Sequence, residues 1–119
     1  MFKRIQGIAD NVVGYKVTGK VEKEDYRAIA PELDSQVKNY GEIRMLVDLR
    51  DFQGIEPSAL LEDFKLDLKH RNQIKKLAVV GNRQWEEWVT EWSRPFTSGE
   101  VRYFDDAASD QAKTWVQVG

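Results

Sequence analysis

Ile43-Arg44-Met45-Leu46-Val47-Asp48-Leu49, then Arg50-Asp51-Phe52-Gln53-Gly54-Ile55, then Glu56-Pro57-Ser58-Ala59, is the stretch that decides the fold. The first seven residues form an apolar run with a charge near each end. It is too short for a buried helix, and its branched residues suit a buried strand. The next six are charged and hold a glycine, which predicts a loop. Pro57 opens a helix that runs to about Arg71, because proline in a first turn gives up a donor that has no partner there. Leu60, Leu61, Phe64 and Leu68 make its apolar stripe. Glu62 and Asp63 in the early turns, and Lys69, His70 and Arg71 in the last, match the helix dipole. A buried strand that feeds a helix through a polar loop is half of a βαβ unit. Open α/β sheets carry function at the carboxyl ends of such strands, so residues 48–58 are the first place to look.

Toward the N-terminus, residues 2–6 and 12–18 read as two strands joined around Gly7-Ile8-Ala9-Asp10-Asn11, a hairpin. Tyr15 and Val17 alternate with Lys16 and Thr18 as in a half-exposed strand. Gly19 is expected to end it. A helix follows over residues 22–40, with Tyr26, Ile29, Ala30, Leu33, Val37 and Tyr40 on one stripe and Gly41 at its C-terminus. Pro31 inside it predicts a kink near Ala30.

Toward the C-terminus, Lys75-Lys76 leads into the apolar strand Leu77-Ala78-Val79-Val80-Gly81. A third helix is expected over residues 84–93, ending before Pro95. Residues 101–104 form a fifth strand. Asp105-Asp106 caps a last helix that turns Ala108, Ala112, Trp115 and Val116 inward. The order is ββαβαβαβα. This predicts an α/β fold with a mixed, mostly parallel five-stranded sheet, its N-terminal strand antiparallel at an edge.

The chain has 119 residues, the size of a single domain spanning 1–119. Lysine plus arginine number 18 and aspartate plus glutamate 20, for a net charge of −2. That balance argues against a nucleic-acid partner, which demands a net basic face. With no cysteine there are no disulfides, thiolate nucleophiles or Cys-type zinc sites. No apolar signal region and no run near the roughly 20 residues of a membrane span is visible. The expected location is the cytoplasm, with contact at the inner-membrane surface as an option.

Four motifs, in order, carry a family resemblance: Gly14…Gly19-Lys20-Val21-x-x-Glu24-Asp25-Tyr26; Leu46-Val47-Asp48-Leu49-Arg50-Asp51-Phe52-x-Gly54; Ala78-Val79-Val80-Gly81-x-x-x-Trp85; and Pro95-Phe96…Glu100-Val101-Arg102. Together they resemble the SpoIIAA-like proteins, a bacterial branch with the STAS-type fold of anti-sigma factor antagonists. The resemblance implies a non-enzymatic regulator that binds protein partners. It also implies a shape similar to CRAL-TRIO domains, which enclose lipophilic molecules. In the antagonists, a serine or threonine at the start of the helix after this strand is phosphorylated. Of that motif only Ser58 is kept. Its hydroxyl is either such a switch, welcome to phosphate at a helix start, or an ordinary first-turn residue.

Two further groups are candidates. Asp48, Arg50, Asp51, Asn82 and Arg83 fall at the carboxyl ends of the two apolar strands. They either hold a polar ligand head or a partner's side chain, or serve as turn and surface charges. Trp85, Trp88 and Trp92 recur at i, i+3 and i+7, with Val89 beside them and Phe96 just beyond. They either fill a core or wall an apolar pocket that meets a membrane surface. Glu86, Glu87 and Glu91 on the other face argue against docking driven by anionic lipid. No nucleophile–base set, Gly-rich phosphate loop or metal ligand set is seen, so no cofactor is expected. His70 stands alone. The partners expected are a lipophilic small molecule, a membrane surface or a protein. The oligomeric state is left open, and a dimer is compatible with the chain.

Overall fold

The structure, a computed structural model, describes residues 1–55, 73–81 and 99–118, without the side chains of Val21, Lys23, Tyr26 and residues 52–55. Its elements are β1 (Phe2–Arg4), β2 (Val13–Val21), α1 (Lys23–Tyr40), β3 (Ile43–Ile55), β4 (Ile74–Gly81), β5 (Glu100–Asp105), a 3-10 turn (Asp106–Ala108) and α2 (Ser109–Gln117). The helices expected over 57–71 and 84–93 lie outside the described residues.

The five strands lie in chain order, β1-β2-β3-β4-β5. β1 pairs antiparallel with β2, and every later pair is parallel. This is the mixed, mostly parallel α/β sheet that the alternation of strand and helix patterns predicts. Side-chain alternation splits its core in two. On one face Val13, Tyr15, Ile43, Leu77 and Val79 pack with Leu33 of α1, joined by Ile29 and Val37. On the other, Leu46, Ala78, Val80 and Phe104 pack with Ala112 and Val116 of α2.

Several boundaries differ from the sequence reading. Residues 50–55 are not a loop: β3 continues to Ile55, because β2 also continues and supplies backbone partners, with Thr18 opposite Asp51 and Val21 opposite Ile55. Gly19 does not end β2. It sits at φ 62, beside a register shift, so a left-handed residue bends the strand where a stop was expected. β4 begins at Ile74, since Ile74 and Lys76 already pair with Ile43 and Arg44. As expected, α1 contains Pro31 within its span and closes on Gly41, at φ 75. Tyr40, expected on its buried stripe, is 44% exposed in the last turn. Asp105 and Asp106 do not cap α2 directly. The 3-10 turn intervenes, Asp105 makes no side-chain cap bond, and the Asp106 carboxylate is turned to Arg50 instead.

Candidate functional site

The carboxyl half of β3 carries the charged residues of the sheet's centre. Leu46 points to the α2 core, and the alternation puts Arg44, Asp48 and Arg50 on that side. Asp48 lies between Lys16 of β2 and Val80 of β4 in register. It is 5% exposed, which is unusual for a carboxylate. Arg50 resolves its solvation. The Arg50 backbone N–H donates to Asp48 Oδ1 at 3.0 Å, Nε donates to the same oxygen at 2.9 Å, and Nη2 donates to Oδ2 at 2.6 Å. The remaining arm, Nη1, donates to Asp106 Oδ1 at 2.6 Å, across from the turn that leads into α2.

Burial pushes the Asp48 carboxyl upward. The hydrogen bonds from Arg50, with the charges of Arg50 and Lys16, outweigh it and hold the group below its ordinary value. Arg50 is driven upward, first by its bond to Asp48 and then by that to Asp106. Asp48 is therefore held in its ionised form near neutral pH and is a poor proton acceptor. Asp51 is not part of this cluster. It pairs with Lys16 Nζ at 3.0 Å, both side chains well exposed. Of the five polar candidates, the structure thus joins Asp48 with Arg50 and sets Asp51 on Lys16. Asn82, Arg83, Ser58, Trp85, Trp88, Val89, Trp92 and Phe96 lie outside the described residues.

Three further arrangements were not foreseen. Asp106 reads as a helix cap, and its 56-residue reach to Arg50 has no local signal. Tyr15, which reads as a plain strand residue, donates its hydroxyl to Glu32 Oε2 at 2.6 Å, where Arg4 also donates. Burial first, and then the Glu32 carboxylate, raise the Tyr15 phenol strongly. At the opposite, amino end of the sheet lies an open cleft of about 490 Å³ with Glu42, Lys75 and Glu100 in its wall. Glu42 Oε2 is 3.3 Å from Arg44 Nε and 3.8 Å from Lys75 Nζ.

Among the described residues no group of three or more His, Cys, Asp and Glu could hold a metal ion, and no helix is long and apolar enough to cross a membrane. A rigidly held guanidinium, one of whose arms meets an exposed carboxylate, sits at the sheet end where α/β proteins place ligands.

No functionally curated protein matches the chain. The crystal structure of an uncharacterized protein of the DUF3478 family with a SpoIIAA-like fold, from Shewanella loihica PV-4, superposes with a TM-score of 0.72. It is 32% identical, and the match covers 98% of this chain and 90% of that one. The sequence profile of the SpoIIAA-like family matches residues 12–117, from the start of the central strands to the end of α2. The sheet order, the ordered motifs and this match agree: the chain belongs to the SpoIIAA-like family.

Proposed function

We propose that this chain is a non-enzymatic SpoIIAA-like module that binds a small lipophilic molecule and meets the membrane surface transiently through residues 85–96. The observation that carries the reading is the indole spacing in the sequence: Trp85, Trp88 and Trp92, three of the chain's four tryptophans, recur at i, i+3 and i+7, with Val89 next to Trp88. The stretch follows directly on β4, whose carboxyl end at Gly81 is the end of the sheet where Asp48 and Arg50 stand. An apolar guest with a polar head suits that juxtaposition. Tryptophan fluorescence with added fatty acids, and co-sedimentation with phosphatidylcholine vesicles, test it. A blue shift lost in a Trp88→Ala/Trp92→Ala variant is the expected result. An unchanged spectrum together with no co-sedimentation overturns it.

A second reading has its own observation. Arg50 and Asp51 stand on the strand that leads to Ser58, so a protein partner that reads charge there would sense phosphorylation of Ser58. Quantitative affinity capture with wild type and Ser58→Glu separates the readings: a partner held by one form and not the other favours the switch.

A further inference from the structure

The Arg50 cluster has an inner and an outer half. Inside, Asp48 is buried and takes three donors from Arg50: the backbone N–H, Nε and Nη2. Burying a carboxylate to hold an arginine is weak evidence of stabilisation, since desolvation consumes most of what the pair gains. What the inner half secures is geometry, because the guanidinium plane is fixed by its own strand. Outside, Nη1 meets Asp106, whose side chain is 67% exposed while that of Arg50 is 38% exposed. An exposed ion pair of this kind contributes little and exchanges readily with solvent ions. The two halves therefore differ sharply in strength. Among the described residues, one arm of a pre-aimed guanidinium is covered by an exposed carboxylate from a turn 56 residues away.

We propose that Arg50 is the anion subsite of this module, that its external ligand is a phosphate group, and that Asp106 is a built-in competitor occupying the subsite when no phosphate is bound. Arginine suits phosphate because its guanidinium is always charged and its N–H donors are fixed in one plane; Nε and Nη2 are taken by Asp48, and Nη1 is the donor aimed outward. A phosphate dianion carries more charge than the single carboxylate it displaces. Lys16, directly across the ladder from Asp48, stands at the same end of the sheet, with its charge paired to Asp51. Displacing Asp106 frees the 3-10 turn at the start of α2 from β3, so occupancy is communicated to the last helix. The inference takes its ligand class from the binding-module reading above, yet the subsite is testable without any apolar tail.

The experiment is a titration of the full chain with inorganic phosphate, followed by the Arg50 Nε–H and backbone amide signals in nitrogen–proton NMR spectra. Wild type, Asp106→Asn, Asp110→Asn and Arg50→Gln are compared. Asp110 is an exposed first-turn residue of α2, so its variant removes the same charge without uncovering Arg50. Asp106→Asn is expected to bind phosphate about five- to tenfold more tightly than wild type, with shifts centred on residues 48–50 and 106. Asp110→Asn is expected to stay near wild type, and Arg50→Gln to lose the response. Equal gains in both aspartate variants would reduce the effect to net charge and overturn the proposal. So would an Asp106→Asn affinity equal to wild type. If Arg50→Gln does not fold, the contrast between the two aspartate variants decides alone. A second arm uses dihexanoyl phosphatidic acid below its micelle concentration. Tighter binding than phosphate, still enhanced by Asp106→Asn, identifies a lipid head as the source. Equal binding keeps the subsite, assigns it to free phosphate and counts against the lipophilic guest.

Discussion

At the scale of the residue, the governing fact is that Asp48 is buried and ionised at once. Its burial alone would neutralise it; three hydrogen bonds from Arg50 keep it charged. The sign of the linkage follows. A carboxyl held below its ordinary value of 3.8 adds stability that is complete above the unfolded value and drains away as pH falls through the folded one. In Arg50→Gln the side-chain donors and the guanidinium charge are lost while the backbone N–H and Lys16 remain, and the Asp48 carboxyl is expected to move upward from its wild-type position. That variant is expected to lose about 3 kcal/mol near neutral pH, the scale of a buried charge stripped of its partner. The gap to wild type narrows below about pH 4, where Asp48 is protonated in the variant's folded state at little cost. Urea midpoints at neutral and acid pH measure it, and a gap independent of pH would show that Arg50 acts by packing alone. The sequence announced Asp48 and Arg50 as charges closing an apolar run. It carried no sign that Asp106 completes them, because that contact depends on where the sheet delivers the turn before α2.

At the scale of the element, α2 shows how a short helix is held. Its last carbonyls have no partner within the helix. Arg44 Nη1 donates to the Val116 and Val118 carbonyls at 3.0 and 3.1 Å, and Lys76 Nζ donates to the Trp115 carbonyl at 2.9 Å. Lys76 also lies 4.6 Å from the centre of the Trp115 ring. Two cations on neighbouring strands thus close the negative end of the helix dipole. Arg44 is 6% exposed, so its charge has no solvent to fall back on. Arg44→Met is expected to cost about 2–3 kcal/mol and to speed amide hydrogen exchange in α2 more than in α1. Equal acceleration in both helices would mean a global loss instead of an uncapped end. The glycines differ in kind. Gly41 is left-handed at φ 75 with open space around it, so Gly41→Ala carries only the backbone penalty, about 1 kcal/mol. A Cβ on Gly99 would meet the Ile74 and Lys75 carbonyl oxygens at 2.3 and 2.5 Å, where backbone must move, and about 3 kcal/mol or more is expected. Thermal melts of the two variants rank them. Gly41 is legible, because a helical stripe ends just before it. Gly99 is not, because its neighbours belong to a strand more than 20 residues earlier.

At the scale of the whole molecule, the mostly parallel sheet with an antiparallel N-terminal edge strand was readable because apolar runs alternate with helical stripes, and such alternation leaves few solutions. The extra length of β2 and β3 was not. Strand ends that pair across bulges keep their charges and glycines, so Gly19 and Gly54 look like turns while their backbones are still in the ladder. The charge balance is the other whole-molecule property, and it constrains the membrane contact proposed for this chain. Basic and acidic residues are 18 against 20, and Lys16 and Arg50 are already engaged by Asp51, Asp48 and Asp106. The charged residues interleaved with the tryptophans are Glu86, Glu87 and Glu91. Association through indoles without a basic face depends on apolar transfer and not on counterion release. Co-sedimentation with phosphatidylcholine vesicles is therefore expected to persist as salt rises from about 0.05 to 0.5 M, a range over which the screening length falls to a few ångströms. Replacing part of the lipid with anionic phosphatidylserine is expected to weaken it or leave it unchanged. Binding that needs phosphatidylserine and collapses with salt would place the attraction on arginines and lysines, and the tryptophans would then lose their role as the membrane-facing element.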